Sequence, residues 1–170
     1  MSLRHAVLGL LSEGPASGYD LMKLFDVSLS NTWPATQSQL YAELGKLADA
    51  GLVTVAAEGP RGRKEYAITE DGLAELRRWI IDVEPTRVNR SDMLLRVFFL
   101  ARIPPERARA YLREQADLAA ERLAHMEEIR PFVESGTDNL SRYGRIALEY
   151  GLRLSQVQRE WAEWAESQIK

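Results

Sequence analysis

Apolar positions recur along this chain with two distinct periods, and each change of period marks a new element. Leu40, Leu44 and Leu47 share one side of a helix. Ser38, Ala42, Gly45 and Asp49 fall on the other side when successive residues turn by about 100°. Thr36 followed three residues later by Gln39 is a capping-box pattern that places the start of this helix, and Gly51 ends it. The run from Leu52 to Ala57 is β-branched and apolar, so it reads as a strand. Glu58-Gly59-Pro60-Arg61-Gly62 reads as a loop, and Arg63 to Ile68 alternates with Tyr66 and Ile68 on one side, a second strand. Upstream, Leu3–Leu11 predicts a first helix buried through Leu3, Val7, Leu10 and Leu11, with His5 an exposed or capping residue. Ser17 caps a second helix with Leu21, Leu24 and Phe25 inward, and Trp33-Pro34 packs as a staple ahead of the third. Thr69 caps a fourth, holding Leu73, Leu76, Trp79 and Ile80, and Asp82 to Thr86 forms a hinge.

Beyond the hinge the pattern is helical throughout. Ser91–Arg102 is a short, heavily apolar helix, stopped by Pro104-Pro105, and the next helix runs from there to about Val133. Ser135 to Asp138 is a turn. In the last helix Leu140, Tyr143, Ala147, Tyr150, Leu154, Val157, Trp161 and Trp164 alternate spacings of three and four without a break, a heptad seam. The preceding helix offers Leu112, Ala119, Met126 and Val133 at heptad spacing, with Ala108 and Ile129 beside them. One reading packs these two helices on each other within the chain. The preferred one is an antiparallel hairpin whose remaining apolar surface joins a second subunit. The expected fold is mainly α: an N-terminal winged helix-turn-helix with a two-stranded wing over residues 1–82, then a helical dimerisation bundle over residues 83–170.

Composition narrows the class. The chain has 170 residues and no cysteine, so it has no disulfide framework or thiolate metal site, and a reducing cytosol is expected. No apolar run approaches a membrane span, and the short run from Ala6 to Leu11 reads as a helix rather than a signal peptide. No motif for a metalloprotease, a phosphate-binding loop, a dinucleotide fold or a serine hydrolase is present. With histidines only at positions 5 and 125, neither enzyme chemistry nor a cofactor is expected. Charge complicates the picture. Residues 1–82 hold eight Lys and Arg against eleven Asp and Glu, a net of −3, while residues 83–170 hold fourteen of each. A nucleic-acid reader is usually basic overall, so here any such role must rest on local placement.

That placement exists. Ser38 and Gln39 open the outward face of the third helix, Tyr41 and Lys46 flank it, and Arg61, Arg63 and Lys64 lie at or beside the hairpin tip. An α-helix fits the DNA major groove, where its N-terminal side chains reach base edges, and cations on an adjacent loop suit phosphate contacts. Trp79, Phe98 and Phe99 are candidates for lining a small-molecule cavity, against the plainer reading that aromatics at helical spacing are core.

Several stretches occur together in a known order. LRHAVLGLLSEGPASGYDL (Leu3 to Leu21), TWPATQSQLYAELGKLADAGLV (Thr32 to Val53), RGRKEYAIT (Arg61 to Thr69) and the Gly72, Leu76, Trp79 series resemble the PadR family of bacterial transcriptional regulators. SDMLLRVFFLARIPPERARAYL (Ser91 to Leu112) is similar to the helical C-terminal region of its longer, virulence-activator-like subgroup. The resemblance implies a homodimer that binds a palindromic operator in double-stranded DNA, usually as a repressor, often relieved by a small aromatic or drug-like effector. It also supports a phosphate contact from the Tyr41 hydroxyl. An activator of the same fold is one alternative. A winged helix used for protein–protein contact is another, favoured by the negative charge of the N-terminal half.

Overall fold

A computed structural model describes residues 2–29, 35–59, 62–85 and 90–170. Trp33-Pro34 and Arg61 lie outside them. The chain divides into two compact units, Met1–Pro85 and Thr86–Lys170.

In the first unit the order is α1 (Ser2–Leu11), β1 (Ala16–Ser17), α2 (Gly18–Ser28), α3 (Gln37–Asp49), β2 (Val53–Glu58), β3 (Lys64–Ile68) and α4 (Glu70–Asp82). The core is apolar and local in origin. Val7, Leu8 and Leu11 of α1, Leu21 and Phe25 of α2, and Leu40, Leu44 and Leu47 of α3 are all buried. Leu24, expected inward, is instead exposed, as is Ile80 of α4; each lies at the edge of an apolar stripe wider than its neighbours cover.

Local signals set the ends of the elements. Gly51 takes a φ of 71°, a left-handed turn that suits glycine. The Leu52 amide then reaches back to the Leu47 carbonyl and the Gly51 amide to that of Ala48, closing α3 in a Schellman motif. Thr69 caps α4 by accepting from the Gly72 amide, and its own hydroxyl donates to the Gly51 carbonyl. The sheet is antiparallel with order β1-β3-β2. Its β2–β3 hairpin was legible in the sequence. The third strand was not, because Ala16–Ser17 is two residues long and exists only by pairing with Tyr66 and Glu65. Between Val55 and Ala57 the register slips, leaving Ala56 as a bulge opposite Tyr66 and Glu65.

His5, expected to be an exposed or capping residue, is 6% exposed. Its ring stacks on Trp79 at 4.5 Å between centroids, and Nε2 lies 3.1 Å from Glu75 Oε1. The helix period puts His5 on the face turned to α4, which the sequence of α1 alone does not reveal.

The second unit holds α5 (Asp92–Val97), a 3-10 turn at Leu100–Arg102, α6 (Pro105–Ser135) and α7 (Asn139–Ser167). The expected helix over Ser91–Arg102 thus breaks after Val97, and of its apolar residues Leu100 is buried while Leu94, Leu95, Phe98 and Phe99 are exposed. α6 buries Ala108, Leu112, Ala116, Ala119 and Met126 against α7. The face α7 returns is Leu152, Ser155, Ala162 and Ala165. Gly151 brings the backbones close, since a β-carbon there would meet the Met126 thioether. Arg113 to Glu166 and Arg122 to Gln158 tie the pair along its edge.

The Glu75 cluster yields an acid-sensitivity prediction. A bidentate bond from Arg78, then the bond to His5, pull the Glu75 carboxyl from 4.5 down to about 2. A depressed carboxylate contributes stability that is complete above its unfolded value and is lost as pH falls through the folded one. The unfolding midpoint of the wild type is therefore expected to drop more steeply between pH 4.5 and 2 than that of Glu75→Gln. Parallel profiles in thermal melts count against this cluster as a source of acid sensitivity.

Candidate nucleic-acid interface

The outward side of α3 follows from its buried side. Because Leu40, Leu44 and Leu47 are locked inward, Ser38, Tyr41, Ala42, Gly45, Lys46 and Asp49 all face outward and are exposed. The face is narrow at Ala42 and Gly45, where side chains are smallest, and polar at its start. Gln39 is exposed but engaged. Its Oε1 accepts from the Thr36 amide at 2.9 Å while the Thr36 hydroxyl accepts from the Gln39 amide at 3.3 Å, completing the capping box. With Gln39 holding the helix start, Ser38 is the polar side chain at the N-terminal end of the outward face that makes no hydrogen bond among the described residues. Tyr41 stands over the first residue of α2: a β-carbon on Gly18 would sit 2.6 Å from its ring. Gly18 is thus the clearance that lets the Tyr41 hydroxyl lean toward the N-terminus of α2.

The hairpin closes through a bond from the Gly59 amide to the Arg63 carbonyl at 2.7 Å, and Gly62 takes a φ of 75° within the loop. Its described cations, Arg63 and Lys64, are both paired. Arg63 Nη2 lies 2.5 Å from Asp20 Oδ2, in the first turn of α2. The Ser17 hydroxyl donates to the same Asp20 oxygen at 2.7 Å. The Ser17 bond first, and the Arg63 guanidinium after it, hold the Asp20 carboxyl below the usual carboxylate range. Lys64 sits 3.8 Å from Glu58, its cross-strand partner in the hairpin register. Lys46 sits 3.2 Å from Glu43, three residues before it on α3. Among the described residues, then, Lys46, Arg63 and Lys64 each carry a carboxylate partner. Lys23 lies over the Tyr19 ring at 4.6 Å.

These partners, Asp20, Glu43 and Glu58, are the members of the surface that sequence reasoning passed over. Glu43 was readable from helix spacing and Glu58 from hairpin pairing. Asp20 and Arg63 are 43 residues apart and meet only through the fold.

The other candidate residues divide between the units. Trp79 belongs to the first, where it stacks on His5. Phe98 and Phe99 belong to the second, and Phe99 lines a cleft of about 470 Å³ with Leu95, Arg96, Ile103 and Tyr111. Of the seam on α7, Tyr143, Tyr150, Leu154, Val157 and Trp164 are exposed, and so is Ala147. Leu140 is half-buried, and Trp161 packs against the small core of Leu100, Ala108, Leu112 and Ala165.

A three-helix core whose third helix presents an exposed face, beside a sheet hairpin bearing cations, defines a winged helix-turn-helix. Residues 7–78 match the model of the transcriptional regulator PadR-like family, and residues 89–170 match that of the virulence activator alpha C-terminal region. The chain is 31% identical over 129 residues to the negative transcriptional regulator PadR of Bacillus subtilis (strain 168), covering 74% of this chain and 71% of that protein. The Bacillus subtilis PadR structure in complex with operator DNA superposes with a TM-score of 0.85, at 26% identity and 100% of both chains. The Vibrio cholerae virulence activator AphA superposes at 0.84, with 28% identity over 99% of this chain and 98% of that one. A third structure holds Bacillus subtilis PadR with p-coumaric acid, at 0.84 and 26% identity over 98% of each chain. The chain belongs to the PadR-like family and is a transcriptional regulator.

The capping box is the local device on which the start of α3 rests. Thr36→Ala is expected to lower stability by about 1 kcal/mol, the usual worth of a side-chain N-cap. Gln39→Ala is expected to lower it by less, since the Thr36 hydroxyl still caps. Thermal melts that rank the two in the opposite order assign the helix start to something other than the cap.

Proposed function

We propose that the chain binds duplex operator DNA as a homodimer and represses transcription, with residues 1–82 reading the DNA and residues 83–170 assembling the dimer. The observation that carries this reading is the α3 surface: a leucine stripe fully inward, and a slender face exposed beside the hairpin. Ser38 is the leading candidate for base-edge contact, with Gln39 positioning it through the cap. Tyr41, Lys46, Lys64, Arg63 and, on its sequence position, Arg61 are assigned to phosphates. The operator-bound structure of the Bacillus subtilis relative supports duplex DNA as the partner. That relative is a negative regulator, which supports repression; the similarity to a virulence activator is the observation that keeps activation as the second reading.

The dimer reading rests on α7. A helix that buries Leu152, Ser155, Ala162 and Ala165 against α6 still turns Tyr143, Tyr150, Val157 and Trp164 outward. Contiguous exposed aromatics of this kind mark protein contact surfaces on soluble chains. With α6 occupied on one side, a second copy of α7 is the partner proposed for the other, from Leu140 to Trp164. For an effector, the relative bound to p-coumaric acid supports a small aromatic acid. The cleft at Phe99 is the place proposed for it in the second unit, with the Tyr111 phenol in its wall and an Arg96 guanidinium that an acid would have to share with Asp92, 2.7 Å away in the same lining.

Two measurements bear on these readings. Lys64→Ala is expected to weaken binding to operator and mixed-sequence duplexes alike. It is also expected to flatten the slope of log K against log salt by roughly 0.9 for each phosphate that the ammonium no longer neutralises. An unchanged slope removes Lys64 from the interface. In sedimentation, the intact chain is expected to be a dimer at micromolar concentration and Leu154→Asp a monomer with its helix content unchanged. A Leu154→Asp dimer places the subunit contact elsewhere, with the exposed Leu94, Leu95 and Phe98 surface as the next candidate.

A further inference from the structure

The ion pair between Arg63 and Asp20 has the form of a phosphate contact made inside the protein. Arg63 leaves the hairpin and its Nη2 makes one charge-assisted hydrogen bond to a carboxylate in the first turn of a helix, the kind of bond arginine also makes to a phosphate oxygen. The anion is Asp20, held in place by the Ser17 hydroxyl at 2.7 Å and by its position in the first turn of α2. Both partners are open to solvent, Arg63 at 55% and Asp20 at 41%. A pair so exposed is weak and exchangeable. The same guanidinium cannot neutralise a DNA phosphate and Asp20 together, and an uncovered Asp20 carboxylate would repel the backbone.

We propose that Asp20 is a built-in competitor for phosphate that holds Arg63 off non-cognate DNA, so that it tunes discrimination between operator and other sequence. This rests on the DNA-binding reading above. On a mixed-sequence duplex, which α3 does not seat deeply, Arg63 stays on Asp20 and contributes little. On an operator, base contacts from α3 draw the backbone close enough for a phosphate to displace the carboxylate. The arrangement also gives the acidic character of residues 1–82 a use at one named position, since Asp20 subtracts from non-specific affinity without touching a base. Glu58, beside Lys64 at 3.8 Å, is too loosely placed to do the same.

The test uses the full chain and a mixed-sequence 30-base-pair duplex, titrated over a range of salt concentrations. Asp20→Asn is expected to tighten binding on the order of threefold, the scale of a released surface ion pair. It is also expected to steepen the log K against log salt slope by roughly 0.9 for each wing that takes up a phosphate. Arg63→Ala alone is expected to weaken binding to this duplex, because it uncovers the Asp20 carboxylate, without the flattening of roughly 0.9 that loss of a phosphate contact would give. The double variant should match Arg63→Ala in slope, and should tighten over it by less than Asp20→Asn tightens over the wild type, since only the repulsion of the uncovered carboxylate is relieved. Asp20→Glu, which keeps the charge, should stay at the wild-type slope, and thermal melts of each variant check that the fold is retained. If Asp20→Asn tightens binding as much in the Arg63→Ala background as in the wild type, the effect is overall charge and the inference is wrong. A wild-type slope in Asp20→Asn overturns it as well. A wild-type chain that binds no duplex at low salt overturns the DNA-binding reading and this inference with it; binding by the wild type with an unmoved Asp20→Asn slope overturns this inference alone.

Discussion

Everything on the outer surface of the first unit depends on three leucines being inside it. Leu40, Leu44 and Leu47 are at or near zero exposure against Val7, Leu8 and Leu11 of α1 and Leu21 and Phe25 of α2. Rotating α3 about its axis would expose those leucines to water, at roughly 1.5–3 kcal/mol for each side chain. The helix has one orientation, so the opposite face has one composition: small in the middle, hydroxylic at the start, with a phenol and an ammonium at the margins. Turn chemistry then takes the chain out of that helix in one direction. The Schellman closure at Gly51 aims Leu52 and Val53 into the sheet, and the Thr69 cap returns the chain to helix beside the same turn. The position of the hairpin relative to α3 is a consequence of two caps and a leucine stripe, all within residues 36–72.

The surface that results is electrically quieter than its cations suggest. Lys46, Arg63 and Lys64 are all compensated by carboxylates at 3.8 Å or closer. A family member with bare cations in these places would carry a long-range attraction to any polyanion. This chain carries short-range charge pairs that matter only once another charge comes within a few ångströms, because separated surface charges are screened beyond about 8–10 Å at ordinary ionic strength. Local geometry sets what happens at contact, while the net of −3 over residues 1–82 remains a background that opposes any polyanion.

How much of this was legible depended on the distance over which each signal acts. The capping box, the glycine stop and the hairpin are set by residues within a few positions of one another, and they could be read directly. The buried stripe of α6 could be read for the same reason, since Ala108, Leu112, Ala119 and Met126 carry their own period. The seam on α7 was equally periodic, yet the packing within the chain uses Leu152, Ser155, Ala162 and Ala165. An amphipathic helix with two apolar faces does not announce which neighbour takes which face. The burial of His5, the exposure of Leu24 and Ile80, and the two-residue strand at Ala16–Ser17 depend on what a distant segment places alongside. The Asp20–Arg63 pair, the most informative pairing of the candidate interface, is of this second kind.

The stack of His5 on Trp79 joins the first helix of the N-terminal unit to its last, across more than seventy residues. Long-range closures of this sort raise contact order and slow folding, because the loop must be closed before the contact rewards it. During synthesis α1 can begin to pack on α2 and α3 early, but the unit cannot close until Trp79 has emerged from the ribosome. Until then His5 and the face of α1 around it lack their cover. Domains that emerge N-terminal first generally fold as units, and here the last turn of α4 sets the moment at which that unit becomes complete.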